Sequence, residues 1–152
     1  MLIFEHALAR NLLHKVSRNN SILFVCDVDV TFAPEALILS AAIVQPGVSA
    51  YFPIVFSLYD PEMVNLTSKF FGTRLSTEYS GRWRPYGTGN YMLSGQDAKE
   101  YMFDESFIGW GGEDAAFFSM IKRNLNILLL EDKDIVHRYH NKSCSNVRKE
   151  QY

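Results

Sequence analysis

No apolar run in this 152-residue chain approaches the roughly 20 residues that a membrane-spanning helix needs. The opening residues Met1-Leu2-Ile3-Phe4-Glu5-His6 lack both the charged leader and the sustained apolar stretch of a signal peptide. Charge of one sign is also missing. Fifteen Lys and Arg stand against 17 Asp and Glu, a formal net charge of -2. No global basic field argues for nucleic acid or an anionic membrane, so any anionic ligand must be gripped locally. Cysteine is scarce. Cys26 lies inside an apolar run and reads as a small buried residue, Cys144 sits among polar residues, and nothing in their settings pairs them. Repeats and low-complexity tracts are absent. Three acceptor patterns for N-glycosylation, at Asn19, Asn65 and Asn141, permit a secretory location without showing one.

What is present suffices for one ordinary core, with 47% hydrophobic and 14% aromatic residues. Phe4, Ala7, Leu8, Leu12 and Val16 recur at helical spacing and predict an amphipathic helix over 4–16. Residues 22–26 read as a strand. Pro34 opens a second helix that runs to Val44 and stops at Gln45-Pro46-Gly47. Tyr51–Phe56 reads as a strand placed at an edge or bulge by Pro53, and 60–81 as loop. A short strand follows at 91–93, a helix from near Gly112 to about Leu125, and two strands at 126–130 and 135–139. Strands and helices intermixed in this way predict an α/β core.

Within that frame, Cys26-Asp27-Val28-Asp29-Val30 closes the first strand with two carboxylates one residue apart. In extended backbone both point to the same side. Two like charges there call for a counter-cation, and a divalent metal on hard oxygen ligands is the natural one. Glu113 and Asp114 fall in the first turn of a predicted helix, just after Gly109-Trp110-Gly111-Gly112. A carboxylate there can act as a general base and the indole can stack on a sugar ring. Equally, helix N-termini favour acidic residues, and a Trp beside glycines can simply pack. His137-Arg138-Tyr139-His140 offers imidazoles suited to a first-row metal.

These residues, in this order, carry a resemblance. Phe24–Phe32, Tyr51–Pro61 and Gly81-Arg82-Trp83-Arg84-Pro85-Tyr86-Gly87-Thr88-Gly89 resemble the C-terminal catalytic domain of the chondroitin synthase and chondroitin N-acetylgalactosaminyltransferase family. Phe103-Asp104, Ile108–Asp114, Val136–His140, Cys144 and Gln151-Tyr152 continue the likeness. It covers nearly the whole chain. The resemblance implies a GT-A glycosyltransferase fold, a mixed sheet flanked by helices, with 1–152 forming a partial catalytic domain, the metal- and acceptor-binding half. The strands that bind the nucleotide, and a membrane anchor further upstream, are expected to precede it in a longer parent of the Golgi lumen. Cys144 is implied to pair with a family cysteine beyond Tyr152.

The implied reaction transfers N-acetylgalactosamine with inversion from a UDP-sugar to a glucuronate-ended, anionic glycosaminoglycan. Asp27 and Asp29 would hold Mn²⁺, with His137 completing the metal site and His140 beside it. Asp114 would be the base. Glu113 and Trp110 would shape the acceptor and sugar pocket, while Arg82 and Arg84 would contact the acceptor carboxylate. Tyr101-Met102 stands where the family has Gly-Gly and is expected to narrow or reshape the donor-sugar pocket. Two alternatives remain open: a non-catalytic partner of another chondroitin synthase subunit, and a related β-galactosyltransferase with a different acceptor.

Overall fold

A computed structural model describes residues 6–108 and 112–141. Phe4, Trp110 and Cys144 lie outside the described residues. Five helices and six strands are described: α1 (His6–Val16), β1 (Ile22–Val25), β2 (Val30–Phe32), α2 (Pro34–Ile43), β3 (Ser49–Leu58), α3 (Pro61–Phe71), β4 (Gly81–Arg84), β5 (Tyr91–Ser94), α4 (Gly95–Glu100), α5 (Glu113–Asn124) and β6 (Asn126–His137). The strands form one mixed sheet in the order β1-β5-β3-β6-β2, with β4 also paired to β3. Only β3 and β6 run parallel. The expected α/β architecture, a mixed sheet flanked by helices, is the one found.

Alternation along the strands sorts their side chains onto two faces. Ala50, Phe52, Tyr91 and Leu93 join Ala7 of α1, Ala98 of α4, and Phe117 and Ile121 of α5 in one core. Tyr51, Val55, Met92 and Ile135 join Ala36 of α2 in the other. The sheet is thus a middle layer, with α1, α4 and α5 on one side and α2 on the other. Among the described residues, no helix is long and apolar enough to cross a membrane.

The first helix forms where its spacing predicts, but it is turned over. Leu8, Leu12, Leu13 and Val16 are exposed, whereas Ala7, Arg10, Asn11 and His14 are buried. Each buried polar group is satisfied. Asn11 donates to Phe103 O at 3.0 Å and accepts from Phe103 N at 2.7 Å. His14 meets Tyr101 O through Nδ1 at 3.1 Å and the Tyr91 hydroxyl through Nε2 at 2.6 Å. Burial pushes the His14 pKa down, so the ring is neutral. It donates from Nδ1 and accepts from Tyr91 at Nε2.

Three further expectations are corrected. Residues 61–71 are helical rather than loop. The Asp60 carboxylate accepts from Glu62 N at 2.9 Å, Pro61 occupies the first turn, and Gly72 ends the helix in the left-handed region at φ 61°. Pro53 sits at neither edge nor bulge, but in the central strand. On one side of β3, β5 pairs at Tyr51 and β4 from Val55 onward. Pro53 falls in the gap between them, where its missing N–H costs no ladder bond on that side. The two C-terminal strands prove to be one, β6, carrying an irregularity: Val55 opposes Asp132 and Phe56 opposes Val136.

The turn into α4 leaves no room for a side chain. Gly95 N donates to Ser21 O at 2.8 Å, and a Cβ at Gly95 would lie 1.9 Å from Arg18 O. Gly95→Ala is therefore expected to cost about 2–3 kcal/mol, read as a lower urea midpoint with unchanged slope. A loss below about 0.5 kcal/mol would show that the 18–21 turn yields freely.

Candidate active site

The strand β1 alternates between the two cores. Leu23 and Val25 lie on the α1/α5 side, while Ile22, Phe24 and Cys26 lie on the α2 side. Asp27 continues this alternation towards α1. Extended backbone then stops, because Val30 N donates to Asp27 O at 3.1 Å and closes a turn. Asn90 pins the turn by accepting from Asp27 N at 3.0 Å, and Asp29 O accepts from Arg138 N at 2.8 Å. The two aspartates consequently have different partners, unlike the shared-side arrangement expected of a continuous strand.

Asp29 faces two histidines. Its Oδ2 lies 3.4 Å from His137 Nε2 and 3.0 Å from His140 Nε2. Ligand atoms of Asp29, His137 and His140 all fall within 4.8 Å of one another. The other carboxylate oxygen, Asp29 Oδ1, is buried and has no hydrogen-bond partner. A buried, unsatisfied anionic oxygen beside two imidazoles fits a divalent first-row cation. Ser57 Oγ contacts His137 Nδ1 at 3.1 Å. With the proton on Nδ1, the ring donates to Ser57 and turns the Nε2 lone pair towards Asp29. Burial pushes the His137 pKa down, with Asp29 opposing and Arg84 and His140 reinforcing the shift. A neutral ring is what a metal ligand requires.

Asp27 instead meets Arg10, with Oδ1 3.5 Å from Nη2. The other guanidinium nitrogen, Nη1, is paired with Asp114 Oδ1. Asp114 and the buried Glu113 occupy the first turn of α5, where the helix dipole favours negative charge. Burial nevertheless pushes the Asp114 pKa up, and Glu113 and Asp27 add to the rise, while Arg10 holds it back. A Cβ built on Gly89 would lie 3.1 Å from Asp114 Oδ2, 3.4 Å from Arg10 Nη2 and 3.4 Å from Asp27 Oδ2. Both Oδ2 atoms therefore border the space that glycine keeps open.

Arg82 and Arg84 lie on β4 opposite Ser57 and Val55. Trp83, between them, stacks edge-on against Phe56 with centroids 5.1 Å apart. Residues 82–87 line a surface hollow of about 360 Å³. Arg84 is close enough to His137 to depress its pKa. Tyr101 packs against the α1/α5 core, with its carbonyl bound to His14.

The family model for chondroitin N-acetylgalactosaminyltransferase matches residues 3–152. The chain belongs to this family. It is 28% identical over 135 residues to human chondroitin sulfate N-acetylgalactosaminyltransferase 1, covering 83% of the chain and 25% of that relative. Human chondroitin sulfate N-acetylgalactosaminyltransferase 2 is 29% identical over 141 residues, 86% of the chain and 26% of the relative. Human chondroitin sulfate synthase 3 is 31% identical over 141 residues, 88% of the chain and 16% of the relative. The chain therefore spans about a quarter or less of these relatives.

Within this family domain, the structure brings Asp29, His137 and His140 together, and brings Asp27 and Asp114 together through Arg10. Residue pattern had not singled out Arg10, Ser57 or the opening at Gly89. The available signal for Arg10 was its 3- and 4-residue spacing from Ala7 and His14 on one helix face. Carboxyl-carbon NMR titration is expected to place the Asp114 pKa above that of an ordinary aspartate, and Arg10→Gln should raise it further. A value at or below the ordinary one would contradict the burial described here.

Proposed function

We propose that this chain forms the metal- and acceptor-binding half of an inverting glycosyltransferase, which passes N-acetylgalactosamine from a UDP-sugar to a glucuronate-ended chondroitin chain. The observation that carries this reading is the convergence of Asp29, His137 and His140 around an unsatisfied carboxylate oxygen. Membership of a family whose curated relatives bear chondroitin N-acetylgalactosaminyltransferase names supports the substrate class.

In this reading Asp29, His137 and His140 hold Mn²⁺, with Asp27 as a further carboxylate. Lewis-acid stabilisation of the departing diphosphate is the chemistry such an ion would supply when bound there. Asp114 receives on Oδ2 the proton of the acceptor hydroxyl as the hydroxyl oxygen bonds to the anomeric carbon and the bond from that carbon to the diphosphate oxygen breaks. Its raised pKa strengthens it as a base. Arg82 and Arg84 offer guanidinium forks to the acceptor carboxylate from the β4 hollow, while Glu113, and Trp110 from outside the described residues, complete the acceptor and sugar pocket. The parent works in the Golgi lumen, anchored by an upstream segment, alone or beside another synthase subunit.

The deciding experiment is transfer from UDP-N-acetylgalactosamine to a glucuronate-ended oligosaccharide by the full-length protein. Asp114→Asn should lower kcat about 10²- to 10⁴-fold, and unchanged turnover would remove Asp114 as base. Ser57→Ala, which frees the His137 ring, should weaken Mn²⁺ binding about 10- to 100-fold in a metal titration. Unaltered affinity would show that Ser57 does not orient the ligand.

A further inference from the structure

Arg10 is a buried cation that the proposed reaction leaves without a task. Its side chain is only 10% exposed, and its guanidinium lies over the Phe103 ring, 5.3 Å from the centroid. One fork spans two carboxylates, each held by Oδ1, so that each Oδ2 borders the opening at Gly89. The grip is unequal. The Asp27 contact, at 3.5 Å, stands at the outer limit of a hydrogen bond, whereas the Asp114 contact is close. Asp27 is also the more exposed partner, at 47% against 32% for Asp114. It is therefore the one free to turn away. Meanwhile the ligand cluster comprises Asp29, His137 and His140 and does not include Asp27.

We propose that Arg10 is a positioning residue that yokes Asp27 to Asp114 and competes with the divalent cation for Asp27, so that metal binding leaves the guanidinium to Asp114 alone. The inference rests on the metal reading above. It makes the two halves of the site interdependent through a single side chain: the metal draws off one carboxylate, and Arg10 then holds the other in place. A fixed positive charge at this point opposes cation binding, so its removal has a defined sign. A merely structural Arg10 predicts the reverse, because losing it would disorder Asp27 and weaken the metal site.

The test is Mn²⁺ affinity of this chain, measured from the EPR signal of free Mn²⁺, with thermal melts to confirm folding. Arg10→Met should bind Mn²⁺ about 3- to 10-fold more tightly than the unsubstituted chain. The gain should shrink below about twofold when Asp27→Asn is the background, since the carboxylate in dispute is then gone. Arg10→Gln replaces Arg10→Met if the latter does not fold. Unchanged or weaker binding by the neutral variant, or a full gain in the Asp27→Asn background, would overturn the inference and leave the metal reading intact. Failure of the unsubstituted chain to bind Mn²⁺ would overturn both.

Discussion

The polar face of α1 joins most of the structure that matters here. Arg10, Asn11 and His14 point inward from one helix and reach, respectively, the carboxylates Asp27 and Asp114, the backbone of Phe103, and the pair formed by Tyr91 and the Tyr101 carbonyl. These targets come from the end of β1, the segment after α4, β5 and the start of α5. Burying polar groups is costly unless every one finds a partner, and here each does. Such contacts are directional, whereas apolar packing tolerates sliding. The helix therefore sets the rotation of its neighbours, and Phe103 stacks on Phe117 with centroids 3.9 Å apart while Asn11 fixes the Phe103 backbone.

Much of the fold was legible where local chemistry is decisive. The β-branched and aromatic runs marked β1, β3, β5 and β6, and Pro34 marked the start of α2. The orientation of α1 was not, because a rule that sends apolar residues inward cannot anticipate a face of Arg, Asn and His whose partners lie about 17–104 residues away. The helix α3 was hidden differently. Its signals, Asp60-Pro61, Gly72 and the helical spacing of Met63, Leu66 and Phe70, were all in the sequence, yet the folded helix leaves that stripe exposed and buries only Val64.

The site divides along the same line. Asp27, Asp29, Asp114 and the histidines were recognisable by type and by ordered spacing. How they group was not, because it depends on a turn at Asp27–Val30 that sends successive carboxylates to different neighbours. Glycine at position 89 shows the same limit. Its role is an opening bordered by Asp114, Arg10 and Asp27, and those three side chains meet only in the folded chain.

The irregularity in β6 works as a phase shifter. Before it, even-numbered residues such as Leu128 face the α2 side; after it, Ile135 does, and His137 lies opposite Ser57. Three residues, 133 to 135, intervene between the positions opposite Val55 and Phe56. Side chains alternate with a period of two, so the odd number is what matters. With unbroken alternation an odd-numbered residue such as His137 would lie on the opposite side of the sheet from Leu128. The irregularity thus decides which side of the sheet meets Asp29, as much as the identity of His137 does.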